Sequence, residues 1–529
     1  MRAALRWTFP LLAAACLAAP AEAQTPNSVL KVVPQGDLKV LDPVWTTGTI
    51  TQNHAGMVFD QLFSLDGNYE TKPQMVDTWN VSPDGLVYTF KLRPGLAFHD
   101  GDPVRAVDAA ESLKRWGQKD IMAQRLFQSI ASVTAVDDQT LRITLKEPYG
   151  LVLQTIGRVG GLVPYIMKEK YAKTDPATQV TDMIGSGPFL FKKEEWVPGA
   201  KVVYAKNPNY KPRAEPASGF GGGKVAKLDR VEWLYIPDPA TISAALEAGE
   251  IDFWELPPGD FQAILKKNPK IVLFVGDTLG TRGIMRPNFL FPPFDNPKAR
   301  QALMWLTAQE DYMRAAVGND PKEWTVCGAM FTCGSPNAME IASESLMEKD
   351  RAKKQANAKR LLAESGYKGE PLFILQATDY PQFNAAALVL ADAFKQIGAN
   401  AQLVPLDWNT VLTRRASKKT PSDGGWHIFF TSGTGFGSSD PFANPASTAC
   451  DKAWFGWPCD AEIEKLRDAW TREADPKKQL AIVEQLQVKM YDFVPYVTWG
   501  QWTSPMAFRS NVKGVLASPQ RMFWNIYKE

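Results

Sequence analysis

The chain has 529 residues, with 59 Lys and Arg against 57 Asp and Glu and a formal charge of +2. That length exceeds what one hydrophobic core normally supports, so two or three domains are expected. Charges that nearly cancel do not suggest a nucleic-acid or anionic-membrane partner.

The first 23 residues have the three parts of a secretory signal: Arg2 and Arg6, an apolar run over Leu11 to Leu17, and Ala21-Glu22-Ala23 as a small-x-small cleavage site. The mature chain is expected to begin near Gln24. No later segment is long and charge-free enough to span a bilayer, which predicts a soluble, exported, periplasmic protein. Cys16, behind Leu12-Ala13-Ala14-Ala15, offers a competing lipid-anchored start, but the leucine stands one position too early for that motif.

From Phe59 to Leu145 the pattern is strands and turns. Ser82-Pro83-Asp84-Gly85 is a turn signal and Val87 to Leu92 alternates as a half-buried strand does, which predicts a hairpin. Asp137-Asp138 before Leu141 to Leu145 repeats the arrangement, and Ala106 to Trp116 reads as a helix between them. Ser218 to Gly223 reads as an exposed glycine-rich loop. Farther on, Leu372 to Leu375 is a short apolar run, Phe383 to Ile397 has helical spacing and stops at Gly398, and Leu403 to Leu406 is a second run. That order is a βαβ signature and implies parallel strands. Ala461 to Arg472 and Lys477 to Tyr491 are two further helices, with Asp475-Pro476 as the break.

Beyond the leader, four cysteines fall into two close pairs, Cys327 with Cys333 and Cys450 with Cys459, and two local disulfides are expected in an oxidising compartment. Loops this short constrain the unfolded chain by at most ~3 kcal/mol each, so they pin loops. Neither pair has the C-x2-C spacing of a zinc site. His54, His99 and His427 have no metal spacing either, and no metal or other cofactor is expected.

Several runs carry a resemblance. Leu41-Asp42-Pro43, Phe59-Asp60-Gln61-Leu62 and Pro73 to Trp79 are similar to the opening of ABC-importer solute-binding proteins of family 5, the oligopeptide- and dipeptide-binding type. Asp84 to Gly95 followed by Phe98-His99-Asp100-Gly101 resembles that family's longest signature. Gly185 to Phe189, Asn207-Pro208-Asn209-Tyr210, Ala244 to Asp252, Pro293 to Pro297 and Leu361 to Tyr367 continue the match in order across the mature chain. The resemblance implies an α/β fold of the periplasmic binding protein-like type II class (cluster C): two lobes around a hinge and an extra α+β domain. Its expected division is a signal peptide at 1–23, domain I from 24–63, 184–278 and 497–529, a strand-rich domain II at 64–183, and domain III at 279–496.

The same resemblance locates candidate ligand residues. Trp408 matches a position that is often a ligand-facing tryptophan in peptide binders, and Thr47 lies in the loop after the LDP motif that reaches the cleft. Ile428 to Pro441 corresponds to a segment where peptide binders show W-x-x-D-x-x-D/E-P, the first aspartate pairing with the peptide ammonium. Phe436 or Gly437 stands at that aspartate here, and Gly433 stands near the tryptophan. A buried ammonium without a counter-charge costs several kcal/mol, so recognition of a free peptide N-terminus is not implied. Gly433, Thr434, Gly435, Phe436 and Asp440 are the expected lining of this altered loop.

Leader, composition and resemblance together imply a monomeric receptor that captures a peptide-like or similarly sized polar solute and hands it to an inner-membrane ABC permease. An opine, an oligosaccharide or a nickel chelate is the alternative solute class. A secreted hydrolase is the distant competitor; the sequence has no G-x-S-x-G elbow and no H-E-x-x-H, and no P-loop ending in Lys-Ser or Lys-Thr.

Overall fold

The computed structural model describes residues 28–529. The expected signal segment and Cys16 lie outside the described residues. Three regions of the sequence meet in one seven-stranded sheet, in the order Ile271–Phe274, Met506–Arg509, Phe253–Trp254, Val29–Val33, Arg230–Leu234, Lys201–Lys206 and Phe189–Phe191. Val29–Val33 runs parallel to both of its neighbours, and the C-terminal strand Met506–Arg509 pairs antiparallel with Phe253–Trp254 and Ile271–Phe274.

A six-stranded mixed sheet forms the second body, in the order Trp324–Thr325, Val497–Trp502, Thr281–Pro287, Ile428–Thr434, Leu372–Ala377 and Ala401–Leu406. Leu372–Ala377 and Ala401–Leu406 are parallel over the helix Pro381–Gln396, as the βαβ pattern requires. The chain passes from the first sheet to the second through 275–280 and returns through 503–505. These two crossings form the hinge. Gly280 has φ +59°, and a Cβ there would overlap the Trp502 carbonyl oxygen on the returning strand, so glycine is what lets the crossings lie together.

Between Val76 and Leu145 the chain makes a four-stranded antiparallel sheet, in the order Val76–Val81, Val87–Leu92, Thr140–Leu145 and Ile130–Ala135, with the hairpin turn at Ser82 to Gly85. The helix Ala106–Gly117 covers it. This unit leans on the last helices of the second body: Arg125 pairs with Asp468 at 2.7 Å and Gly150 donates its N–H to the Thr471 carbonyl at 3.0 Å.

The motifs that carried the resemblance are joints in this frame. Asp42 is fully buried and accepts from Arg115 Nη1 at 3.1 Å and Nη2 at 2.6 Å, and from the N–H groups of Val44 and Val180. Asp60 accepts from Lys224 Nζ and from the Tyr210 hydroxyl, both at 2.8 Å, which ties the FDQL run to the NPNY run. His99 accepts the Gly185 N–H at Nδ1, with Nε2 3.2 Å from the Gly187 carbonyl. Burial holds His99 down to about 4.

One expectation is corrected. The stretch Ser218 to Gly223 is largely packed inside: Phe220 is 1% exposed and meets Trp524 edge-on at 5.2 Å. Glycines are needed because Cβ atoms at Gly219 and Gly222 would overlap backbone at Asp66 and Pro216.

Two disulfides, Cys327–Cys333 and Cys450–Cys459, are present as paired in the sequence. Among the described residues no helix is long and apolar enough to cross a membrane.

Candidate functional site

A cleft lies between the two large bodies, and the end of the strand Ile428–Thr434 divides it into two chambers that share Thr49, Ser432, Gly433, Thr434 and Pro519. The chamber far from the hinge has a volume of about 540 Å³ and the hinge-side chamber about 490 Å³.

The dividing ridge is held firmly. Gly435 donates its N–H to the Gly280 carbonyl at 2.6 Å, and its own carbonyl accepts the Thr332 hydroxyl at 2.7 Å. A Cβ on Gly435 would overlap the Leu279 carbonyl, so this residue packs on the crossing and does not border a chamber. Thr434 Oγ1 accepts the Gly437 N–H at 3.1 Å, closing the turn. Phe436 then reaches across the cleft. Its ring stacks on Tyr69 with centroids 6.2 Å apart and lies where a Cβ of Gly160 would be.

In the far chamber Phe436 stands with Val159, Leu162, Ile284 and Trp454, and Thr47 borders it from the loop ahead of the helix Thr49–Val58. Gln52 fixes that loop by donating to the Pro43 and Thr46 carbonyls at 2.8 and 2.7 Å. The guanidinium of Arg158 is occupied by Asp120 at 3.2 Å and the Gly160 carbonyl at 2.8 Å, while Asp120 caps the helix Ile121–Ser129. Gln520 borders the same chamber, is 4% exposed, and its Oε1 has no hydrogen-bond partner.

Asp440 accepts the N–H groups of Phe442 and Ala443 at 2.8 and 2.7 Å, capping its own turn, and lies behind the chamber wall. Burial pushes its carboxyl up, with Arg158 opposing. Trp408 opens the helix Trp408–Arg414 and is half-buried against Phe383 and Tyr380, at 4.8 and 5.7 Å between centroids. Tyr380, not Trp408, borders the hinge-side chamber. Of the residues read from the sequence, Thr47, Gly433, Thr434 and Phe436 therefore meet at the cleft, whereas Gly435, Asp440 and Trp408 stand behind it.

The hinge-side chamber was not foreseen. Its charged groups are Glu255, Asp277 and Arg521, from three distant parts of the chain, beside Tyr380 and Trp502. No local pattern marked them; only the fold gathers them. Burial raises the carboxyls of both Glu255 and Asp277, opposed by Arg521.

Residues 70–454 match the bacterial extracellular solute-binding proteins, family 5 Middle. A protein of Sinorhizobium fredii named "Probable peptide ABC transporter periplasmic-binding protein y4tO" is 38% identical over 525 residues, covering 98% of each chain. The glutathione-binding protein GsiB of Pectobacterium atrosepticum is 27% identical over 373 residues, 69% of this chain and 67% of its own. The crystal structure of the ABC transporter substrate-binding protein CtaP of Listeria monocytogenes superposes with a TM-score of 0.79 at 21% identity, over 95% of this chain and 99% of that one. The sequence match over most of the chain and the two-lobed fold agree: the chain belongs to the family 5 extracellular solute-binding proteins, the solute-binding components of ABC importers.

Proposed function

We propose that this protein is exported to the periplasm, captures a peptide-like solute between its two lobes, and delivers it to a membrane permease without catalysing a reaction. The observation that carries the reading is the two-chambered cleft, with walls from both large bodies and with Asp277 and Gly280 of one hinge crossing on its border. A solute touching both walls stabilises the closed arrangement, and release follows from opening at 275–280 and 503–505. In this reading 28–63, 184–278 and 503–529 act as one lobe, 279–502 as the other, and 64–183 as a strand-rich buttress; Val497–Trp502, expected with the first lobe, pairs within the second sheet. The relatives named for peptide and glutathione binding support a peptide-like solute. Thr47, Gly433, Thr434 and Phe436 contact it directly, while Gly435, Asp440 and Trp408 position the groups that do.

Thermal unfolding of the mature protein with a panel of peptides, opines, oligosaccharides and nickel chelates tests this. A ligand at 100 times its Kd adds ~2.7 kcal/mol to folded stability, which is plainly visible as a raised melting temperature. A peptide-like compound is expected to stabilise the protein. Stabilisation by an oligosaccharide or chelate alone would refute the solute class, and turnover of any compound would refute the non-catalytic role.

A further inference from the structure

The replacement of the expected aspartate by Phe436 or Gly437 leaves open where the charged end of a solute goes, and the hinge-side chamber holds the groups to receive it. Glu255 is 3% exposed; Oε2 accepts the Gln35 N–H at 2.9 Å and Oε1 accepts Asn53 Nδ2 at 3.1 Å. Asn53 Oδ1 in turn accepts the Arg521 N–H at 3.1 Å, so one buried asparagine fixes both the carboxylate and the backbone that carries the guanidinium. Arg521 Nε stands 3.8 Å from Glu255 Oε1, beyond hydrogen-bond range, and is buried with no hydrogen-bond acceptor. The Arg521 side chain is 12% exposed, and Nη1 donates to the Ser518 carbonyl at 3.3 Å. Asp277, on the first hinge crossing, accepts the Leu279 N–H at 3.1 Å through Oδ1.

A solute bearing only a cation would meet Arg521 at close range, and one bearing only an anion would meet two carboxylates. A group that offers both signs a few ångströms apart satisfies all three side chains. Resting on the reading of the cleft as the solute site, we propose that the hinge-side chamber binds an α-amino-acid head, an ammonium and a carboxylate on one carbon. Asp277 accepts the ammonium, Arg521 takes the carboxylate, and Glu255 with Asn53 positions Arg521. The remainder of the solute crosses the Ser432 to Thr434 ridge into the far chamber. An ordinary α-linked peptide separates its two charges by its whole length and does not fit this pattern; a γ-glutamyl or other side-chain-linked conjugate does.

The test is calorimetric titration of the mature protein with γ-glutamylglycine and glutathione, against α-glutamylglycine, N-acetyl-γ-glutamylglycine and the α-methyl ester of γ-glutamylglycine. The γ-linked compounds are expected to bind at least about tenfold more tightly than the α-linked isomer and the two blocked forms. Asp277→Asn and Arg521→Lys keep size while removing the charge or the planar fork, and each should weaken the γ-linked compounds by about tenfold or more. Their unliganded melting temperatures should stay near that of the parent, which separates a lost contact from a damaged fold. Equal binding of α- and γ-linked isomers, or no binding of either γ-linked compound, would overturn the proposal. If α-linked peptides bind without discrimination, the importer reading survives and only the head assignment falls. If no compound in this set or in the wider panel binds, both fall.

Discussion

At the hinge-side end of the cleft the groups facing the cavity are Glu255, Asp277 and Arg521, set in place by Asn53 and by main-chain N–H groups. At the far end Phe436, Val159, Leu162, Ile284 and Trp454 stand among the polar Thr47, Lys119, Asn444 and Gln520, with Arg158 already occupied by Asp120. In the proposed reading the hinge-side end discriminates by charge and hydrogen-bond direction, and the far end chiefly by shape and apolar area. The ridge at Ser432 to Phe436 keeps the two chemistries apart, so a solute must present an unlike pair of ends to use both.

Removing that separation should have the largest effect. Gly435→Ala places a methyl group against the Leu279 carbonyl, and backbone cannot yield as a flexible side chain would. The variant should lose about 3 kcal/mol of stability through overpacking and displacement of the ridge. Urea unfolding measures the loss; a midpoint within error of the parent would show that the ridge relaxes freely and does not divide the cleft. A second substitution strikes the far end alone. Arg286 is fully buried and donates to the Phe455, Ala446 and Pro495 carbonyls at 2.6, 2.8 and 2.8 Å, fixing the segment that carries Trp454. Arg286→Met strands those carbonyls and should cost on the order of 2 to 3 kcal/mol. Hinge-side residues have no part in this network, so the affinity for a head-group fragment such as γ-glutamylglycine should change much less than that for a full-length solute.

How much of the molecule was legible in the sequence depends on where the information sits. Asp42, Asp60, His99, Gly185 and Tyr210 belong to local sequence runs, and each proves to be a joint between runs, so reading the runs amounted to reading the frame. The hairpin at Ser82 to Gly85 and the βαβ unit at 372–406 were legible for the same reason: turn chemistry and periodicity are local. The cleft is not local. Glu255, Asp277 and Arg521 are unremarkable in their own surroundings and become a constellation only when two hinge crossings and a C-terminal segment meet. Trp408 shows the converse limit, since a matching position conveyed an aromatic residue near the cleft but not that Tyr380 stands in front of it. The packing of Ser218 to Gly223 was missed because glycine richness signals close backbone approach as readily as exposure.

The floor beneath the cleft adds a pH dependence. His54 lies on the helix that carries Thr49, Gln52 and Asn53, is fully buried, and sits 2.8 Å from the Tyr204 hydroxyl through Nδ1. Burial lowers it from 6.5 to about 3. Because the folded value lies below the unfolded one, its contribution to stability is complete above about pH 6.5 and is lost as the pH falls toward 3. At pH 5 the unfolded chain is protonated at this site and the folded one is not, a penalty on the order of 2 kcal/mol. His99 and His427, each lowered to about 4 by burial, add losses of the same sign. Urea midpoints of the parent and of His54→Asn at pH 7.5 and pH 5 isolate the contribution of His54. The variant should show a smaller fall, and an equal fall in both proteins would place the titration elsewhere.

The smallest effect on stability, and the sharpest on closure, is expected at Phe436. Its ring is half-buried and meets the opposite wall at Tyr69 and the notch at Gly160, so Phe436→Ala should cost about 1 kcal/mol in urea. Opening of the hinge is expected to break the same contact, since Phe436 follows a strand of the second sheet while Tyr69 packs on the core of the first body. Affinity for whichever panel compound stabilises the parent should therefore fall more than stability does. Gly160→Ala attacks the contact from the other side by filling the notch, and the two variants should lose affinity alike if the ring acts as the latch. A loss at Gly160→Ala with parental affinity at Phe436→Ala would assign the closing contact to the backbone around Gly160 and not to the ring.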